Sequence, residues 1–414
     1  MKTRLVALAG AAALGIGAVT AAVAPGPHRS GTALAGGTSP SAGLDPAKLK
    51  SGLDAVHRAG TPGVFAEVRD GARVWRDASG VADLRTGRPV TPGMRQRVGS
   101  ITKTFTAAAI MQQVERGRIR LDAPIGDYLP TLVPGERGRK ITVRMLLNHT
   151  SGLPEYLPYA FPSLRDFPAP SASGRSLDDN RFRRFSPAEL IGMGLDAPAA
   201  SRPGSVPGVY SNTNYLLLGR LLERVTGTRA ETYITRNVIR RAGLRHTAFP
   251  TGTRVRGPHP RMYEAFYGMI DPPRDYSVYD MSWVWMGADL ISTTADLDRF
   301  YRRLFTGGIV SRSSLAQMRR TVPVIGQDGQ SRFDYGLGLR PFQIPGCGTL
   351  WGHDGTVWGA QTMSLTSADG RRQMSLAMNL VRWNRFDASG KPQPHPIDGA
   401  LASFYRQAMC GNAP

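Results

Sequence analysis

The order of residue patterns along the chain constrains its fold more than any other feature. Short apolar–polar alternations stand near both ends, and helical spacings fill the middle. Near the start, residues 62–78 alternate around Asp70-Gly71, which predicts two strands and a tight turn. After Phe333 the runs Tyr335–Arg340, Thr349–Gly352, Gln361–Thr366 and Gln373–Val381 read as strands. Between them, Ile101–Glu115, Val143–Asn148, Pro187–Leu195, Asn214–Thr226 and Thr232–Arg241 read as helices. Residues 154–205, rich in Pro, Ser and Arg, predict a long irregular excursion, and Ile397–Met409 predicts a final helix. Strands at both ends must share a sheet to bury their apolar faces, with the helical part inserted between them. The expected class is α+β (α/β): an antiparallel sheet flanked by helices, plus an inserted all-helical region.

Composition narrows the function classes. The chain has 414 residues, 41% hydrophobic, with a mean hydropathy of −0.24. That suffices for one large or two medium domains and argues against bulk disorder, collagen or a polytopic membrane protein. Lys+Arg 52 against Asp+Glu 31 leaves a net charge of +21, and all but six of the basic residues are arginine. The arginines are spread along the chain, so they read as a solvated surface with affinity for anionic cell-wall polymers. No aromatic-interleaved basic stripe stands out, so no nucleic-acid partner is expected.

Lys2 and Arg4 precede an apolar run from Leu5 to Ala24, and Ala33-Leu34-Ala35 offers a small-residue cleavage site. This reads as a secretory signal over 1–35, an uncleaved anchor being the competing reading. A flexible linker over 36–48 would follow, then a catalytic domain over 49–412. Its sheet region is expected at about 49–95 and 300–412, and its helical region at about 105–300. The product would be secreted, extracellular or associated with the cell wall, free of the membrane once cleaved, and monomeric. In an oxidising compartment the two cysteines, Cys347 and Cys410, suggest one disulfide. The seven histidines never stand at i, i+4, and two cysteines make no thiolate cage, so neither a metal nor a cofactor is expected.

Three short motifs carry the chemistry. In Ser100-Ile101-Thr102-Lys103 a hydroxyl stands at the start of a helix with an amine one turn on, on the same face. A partly desolvated amine there loses proton affinity and helps deprotonate the hydroxyl. In Tyr210-Ser211-Asn212, the phenol can carry a proton, and the amide can accept from Lys103 and donate to a substrate carbonyl. In His353-Asp354-Gly355-Thr356 a glycine-bearing edge strand lets a substrate approach the backbone. Its N–H and that of Ser100 would form an oxyanion hole.

Together, in this order, the motifs resemble the penicillin-recognising serine hydrolases, in the class C β-lactamase-like branch. They look most like secreted D-alanyl-D-alanine carboxypeptidases. Supporting stretches are Leu146–Pro154, Gly287–Leu297 and Tyr335–Arg340. The resemblance implies a β-lactamase/transpeptidase-like fold and an acyl-enzyme acting on D-Ala-D-Ala peptides or β-lactams. A β-lactamase or an esterase of the same fold would share every motif, and a non-enzymatic wall-binding protein is the reading of a different class. Carried over residue by residue, Ser100 is the nucleophile, Lys103 its partner and Tyr210 the proton shuttle. Asn212 contacts the substrate amide, His353 takes the place of a lysine found in many relatives, and Gly355-Thr356 completes the oxyanion hole. Arg340 resembles the arginine that holds a terminal carboxylate, and Trp283 a pocket-wall aromatic. His149 is assigned to loop structure. The late cysteine pair also fits the carboxypeptidase type. Asp354 is a departure: relatives often carry threonine or serine there, and a carboxylate repels a substrate carboxylate. Either Asp354 points away into a pair with an arginine or the substrate lacks a free C-terminal carboxylate, which weakens carboxypeptidase relative to esterase or amidase.

Overall fold

The computed structural model describes residues 43–410, apart from 166, 168–172 and 388–389. Among these, the two ends of the chain meet in one seven-stranded sheet. Its strands are β1 (Gly63–Asp70), β2 (Arg73–Asp83), β3 (Arg88–Pro89), β4 (Arg340–Ile344), β5 (Gly348–Val357), β6 (Ala360–Thr366) and β7 (Arg372–Met378). They lie in the order β4-β5-β6-β7-β1-β2-β3, every pair antiparallel. The joint between the ends is β1 on β7, with Val64 opposite Met378 and Asp70 opposite Arg372.

Five longer helices matter for the site: α1 (Pro46–Arg58), α2 (Thr102–Glu115), α3 (Asn212–Thr226), α4 (Thr294–Phe305) and α5 (Pro396–Cys410). Alternation on β1 and β7 turns Val64, Ala66, Val68, Met374, Leu376 and Met378 toward α1 and α5. Each of the valine, leucine and methionine side chains among them, fully buried, contributes about 1.5–3 kcal/mol. On α5, Ile397, Leu401, Phe404 and Ala408 recur at helical spacing and face the same layer. On the opposite face lies α4, where Ser375 Oγ donates to Asp298 Oδ1 at 2.6 Å and Gln373 Nε2 to Asp298 O at 2.8 Å. The helix α2 is buried on all sides from Thr102 to Gln113. Such a helix can only be central, between the sheet and the helical region.

Several expectations shift in detail. The export segment 1–35 and most of the 36–48 linker lie outside the described residues. The linker ends early, because α1 starts at Pro46 with the Asp45 side chain accepting from Lys48 N. The β1–β2 loop is Gly71-Ala72, one residue later than expected, and Gly71 takes a positive φ of 59°. Thr232–Arg241 divides into an α-turn (Ala230–Ile234) and a π-turn (Thr235–Ile239). Residues 154–205 hold several short helices, among them Pro187–Asp196, which a capping box starts at Ser186. The strand expected over Tyr335–Arg340 is a bend between Arg332–Tyr335 and β4. A Cβ on Gly336 would stand 2.0 Å from Met318 O, and Gly338 has φ +71°. Those glycines serve a close approach and a turn rather than a strand. Cys347 and Cys410 form a disulfide that ties the β4–β5 hairpin to the end of α5.

Candidate active site

Ser100, the expected nucleophile, is placed by backbone geometry. Gly99, at φ +56°, turns the chain into a single 3₁₀ turn carrying Ser100, and α2 begins two residues later. Lys103, one turn on, is fully buried. Its Nζ lies 3.0 Å from Ser100 Oγ, 2.6 Å from Asn212 Oδ1 and 3.0 Å from Gly287 O. Burial lowers its pKa to about 7, although the charges of Glu155 and Asp354 pull it upward. Near neutral pH much of Lys103 is therefore a free amine. Such an amine donates to Asn212 and Gly287 and accepts the Ser100 proton.

Tyr210 reaches Ser100 from the other side. Burial drives its phenol well above the ordinary value, against the opposing hydrogen bond with Ser100. A phenol so raised stays protonated near neutral pH. The loop bearing it is pinned by Tyr210 N to Ile325 O and Val209 N to His149 O, both 2.9 Å. His149 adopts φ +63° and packs its ring 4.1 Å from that of Tyr210. Its Nδ1 accepts from Ser211 N at 3.2 Å and Asn214 Nδ2 at 3.0 Å. Its role is therefore to support the tyrosine loop.

Ser211 caps α3 through Thr213 N, which places Asn212 in the first turn. Asn212 N and Nδ2 both donate to Glu155 Oε2, at 2.8 and 3.0 Å, and Gln327 donates to the same oxygen. That orients the amide so that its oxygen faces Lys103 and its nitrogen faces the glutamate. Glu155 is buried, and burial raises its pKa against those hydrogen bonds and the Lys103 charge. Sequence reasoning missed it. A lone glutamate after Leu146–Pro154 has no spacing signal, although an acid in an otherwise apolar Leu-Pro-Glu-Tyr-Leu run is unusual.

The third motif lies on β5, which is second in the sheet rather than at its edge. Yet β4 covers β5 only up to Gly352, opposite Arg340, so residues 353–357 have no strand partner on that side. A Cβ on Gly355 would stand 1.8 Å from Val98 O and 2.9 Å from Ser100 N; one on Gly99 would stand 2.4 Å from Thr356 N. Two bare backbones thus pack together and bring the N–H groups of Ser100 and Thr356 to one small space, as an oxyanion hole requires.

His353 supplies no charge here. Its Nδ1 donates to Asp354 O at 2.5 Å, and its Nε2 accepts from Tyr335 OH at 2.8 Å. Burial lowers its pKa to about 4, outweighing the attraction of Asp354. The Arg340 guanidinium meets Asp354 at 2.8 Å. Burial opposes the charge on Asp354, but the Arg340 charge and hydrogen bond outweigh it and hold the carboxyl below its ordinary range. The arginine expected to hold a substrate carboxylate is thus already paired.

All these groups meet at one cavity of about 840 Å³, walled by Ser100, Tyr210, Asn212, His353, Thr356 and Trp283. Trp283 is stacked on Trp358, ring centroids 4.5 Å apart. No group of three metal-ligating side chains occurs among the described residues.

A family model described as Beta-lactamase matches residues 49–394. Among solved structures, a D-stereospecific amidohydrolase from Streptomyces sp. is 30% identical with a TM-score of 0.72, over 89% of this chain and 100% of that one. Esterase EstB of Burkholderia gladioli is 32% identical over 215 residues, 50% of this chain and 53% of that protein. Penicillin-binding protein 4* of Bacillus subtilis (strain 168) is 25% identical over 330 residues, 77% of this chain and 68% of that protein. The chain spans about half to two thirds of the length of these curated relatives. With its β-lactamase/transpeptidase-like fold and a serine–lysine–tyrosine constellation in one cleft, the chain belongs to the beta-lactamase family of serine hydrolases.

Proposed function

We propose that the protein hydrolyses amides and esters of D-configured acyl groups whose leaving group carries no free carboxylate. Lys103 takes the proton of Ser100, and Oγ attacks the carbonyl carbon. The N–H groups of Ser100 and Thr356 hold the oxyanion. The bond to the leaving nitrogen or oxygen breaks as Tyr210 passes it a proton, and the Lys103 ammonium, holding the proton taken from Ser100, returns one to the phenol. Water then adds to the acyl-enzyme by the same route in reverse, releasing the acid and Ser100.

One observation carries this reading: the Arg340–Asp354 pair, beside a neutral His353, occupies the arginine expected to hold a substrate carboxylate. The similarity to an enzyme named D-stereospecific amidohydrolase and one named esterase supports it. A secreted D-alanyl-D-alanine carboxypeptidase acylated by β-lactams is the second reading, favoured by relatives named penicillin-binding proteins. Export through residues 1–35 and residence near anionic wall polymers belong to both readings.

Rates on D-alaninamide, a D-alanyl aryl ester, acyl-D-Ala-D-Ala and a chromogenic cephalosporin decide between them. The amide and the ester are expected to turn over fastest. Faster cleavage of acyl-D-Ala-D-Ala would establish the carboxypeptidase, and steady cephalosporin turnover a β-lactamase. Ser100→Ala is expected to abolish fluorophosphonate labelling without lowering the melting temperature; labelling that persists in it would remove Ser100 as the nucleophile.

A further inference from the structure

The cavity does not end at the Arg340–Asp354 pair. The leaving group stands beside Tyr210, since that phenol supplies its proton. From Tyr210 a continuous row of groups leads away from Ser100. The Phe333 ring lies 6.1 Å from that of Tyr210, and the Arg340 guanidinium stands 4.1 Å from the Phe333 centroid and 4.6 Å from that of Phe342. Beyond Phe342 the same cavity runs between the sheet and α5, walled by Ile344, Met363, Leu365, Leu401, Ala402 and Tyr405. At the Ser100 end β4 stops pairing at Gly352, so residues 353–357 of β5 have no strand partner on that side. The walls of the passage are aromatic faces and aliphatic side chains, with the Arg340 charge answered by Asp354, while Arg332, Asp334, Asp398 and Arg406 also border the cavity.

We infer that the enzyme takes leaving groups extended by an apolar chain or ring, alkyl or aryl amines and alcohols, seated in the arm between β4 and α5. This deepens the amide and ester reading and rests on it. The arm receives the departing group rather than the acyl group, because it opens from the Tyr210 side of the reacting carbon. The reaction is otherwise unchanged: the carbon–nitrogen or carbon–oxygen bond breaks, and the apolar amine or alcohol leaves with the proton from Tyr210.

The test keeps the acyl group as D-alanyl and varies the amine from ammonia through methylamine and butylamine to hexylamine and aniline. The ratio of kcat/KM for the hexylamide to that for the methylamide is expected to be about tenfold or more, since each added methylene enters apolar surface. Ala402→Trp, on the partly exposed face of α5, fills the arm and should bring that ratio toward one. Tyr405→Ala widens the arm and should move the preference to longer chains. Two results overturn the inference: a flat series in the unmodified protein, or a chain-length preference that survives both variants. If D-alaninamide is hydrolysed while the series is flat, this inference fails and the proposed function stands. If no amide or ester is cleaved but acyl-D-Ala-D-Ala is, the proposed function fails as well.

Discussion

Glu155 lies outside the three motifs yet touches the base through Asn212, so replacing it reads the electrostatics of the site directly. The bridging amide stands 2.6 Å from Lys103 Nζ on one side and 3.0 Å from the carboxylate on the other. Two unit charges about 6 Å apart interact by about 3 kcal/mol at an effective dielectric near 20. One pKa unit corresponds to about 1.4 kcal/mol, so a full charge would move Lys103 by about two units. Burial raises the glutamate's own pKa, and whatever fraction is protonated reduces the effect. The negative charge favours the ammonium, so its loss favours the free amine. In Glu155→Gln the Lys103 pKa is therefore expected to fall from about 7 by about half a unit to two units. The assay is the rate of fluorophosphonate labelling of Ser100 across pH 4–9, which depends on no particular substrate. Its acid limb should shift to lower pH, while the glutamine oxygen still accepts from Asn212. Glu155→Ala should make the same shift and also lower the plateau, because Asn212 loses its acceptor. An acid limb that stays within about 0.3 unit, or moves upward, would refute the coupling and the assignment of Lys103 as base.

Three further outcomes follow from the same geometry. Asp354→Asn frees the Arg340 charge, so kcat/KM for acyl-D-Ala-D-Ala relative to an amide should rise about ten- to hundredfold, a charged hydrogen bond contributing about 1.5–3 kcal/mol; an unchanged ratio would show that the pair does not set leaving-group choice. Gly355→Ala forces a Cβ against Val98 O and should lower kcat on an aryl ester about 10²–10³-fold, as losing an oxyanion donor does; a loss of only about threefold would place the oxyanion elsewhere. Lys103→Met tests the linkage. The lysine titrates at about 7 folded against an ordinary 10.5, so between those values the unfolded chain holds more protons and stability rises with pH. The penalty is complete below pH 7, where the difference (10.5 − 7 = 3.5 units) amounts to about 5 kcal/mol. The melting-temperature gain of Lys103→Met over the unmodified protein should shrink as pH rises from 7 to 10, and a gain independent of pH would contradict the lowered pKa.

What the sequence determined by itself is what depends on near neighbours along the chain. Turn chemistry at Asp70-Gly71, apolar spacing over Ile101–Glu115 and the three-residue step from Ser100 to Lys103 are local, so they are legible without a fold. The same holds for Tyr210 and Asn212 at the start of α3 and for the glycine-bearing strand around His353. Where a local pattern served a long-range need it misled: Tyr335–Arg340 has strand composition, but Gly336 and Gly338 are there to pass Met318 and Ala107. Tertiary structure alone decided that β7 lies beside β1, that Glu155 reaches Asn212, and that the Gly287 carbonyl receives Lys103. It also turned Arg340 to Asp354 rather than to a substrate. Proton affinity belongs to this second group as well. The Lys103 pKa falls to about 7 because folding removes the amine from water, and no stretch of residues read in order contains that desolvation.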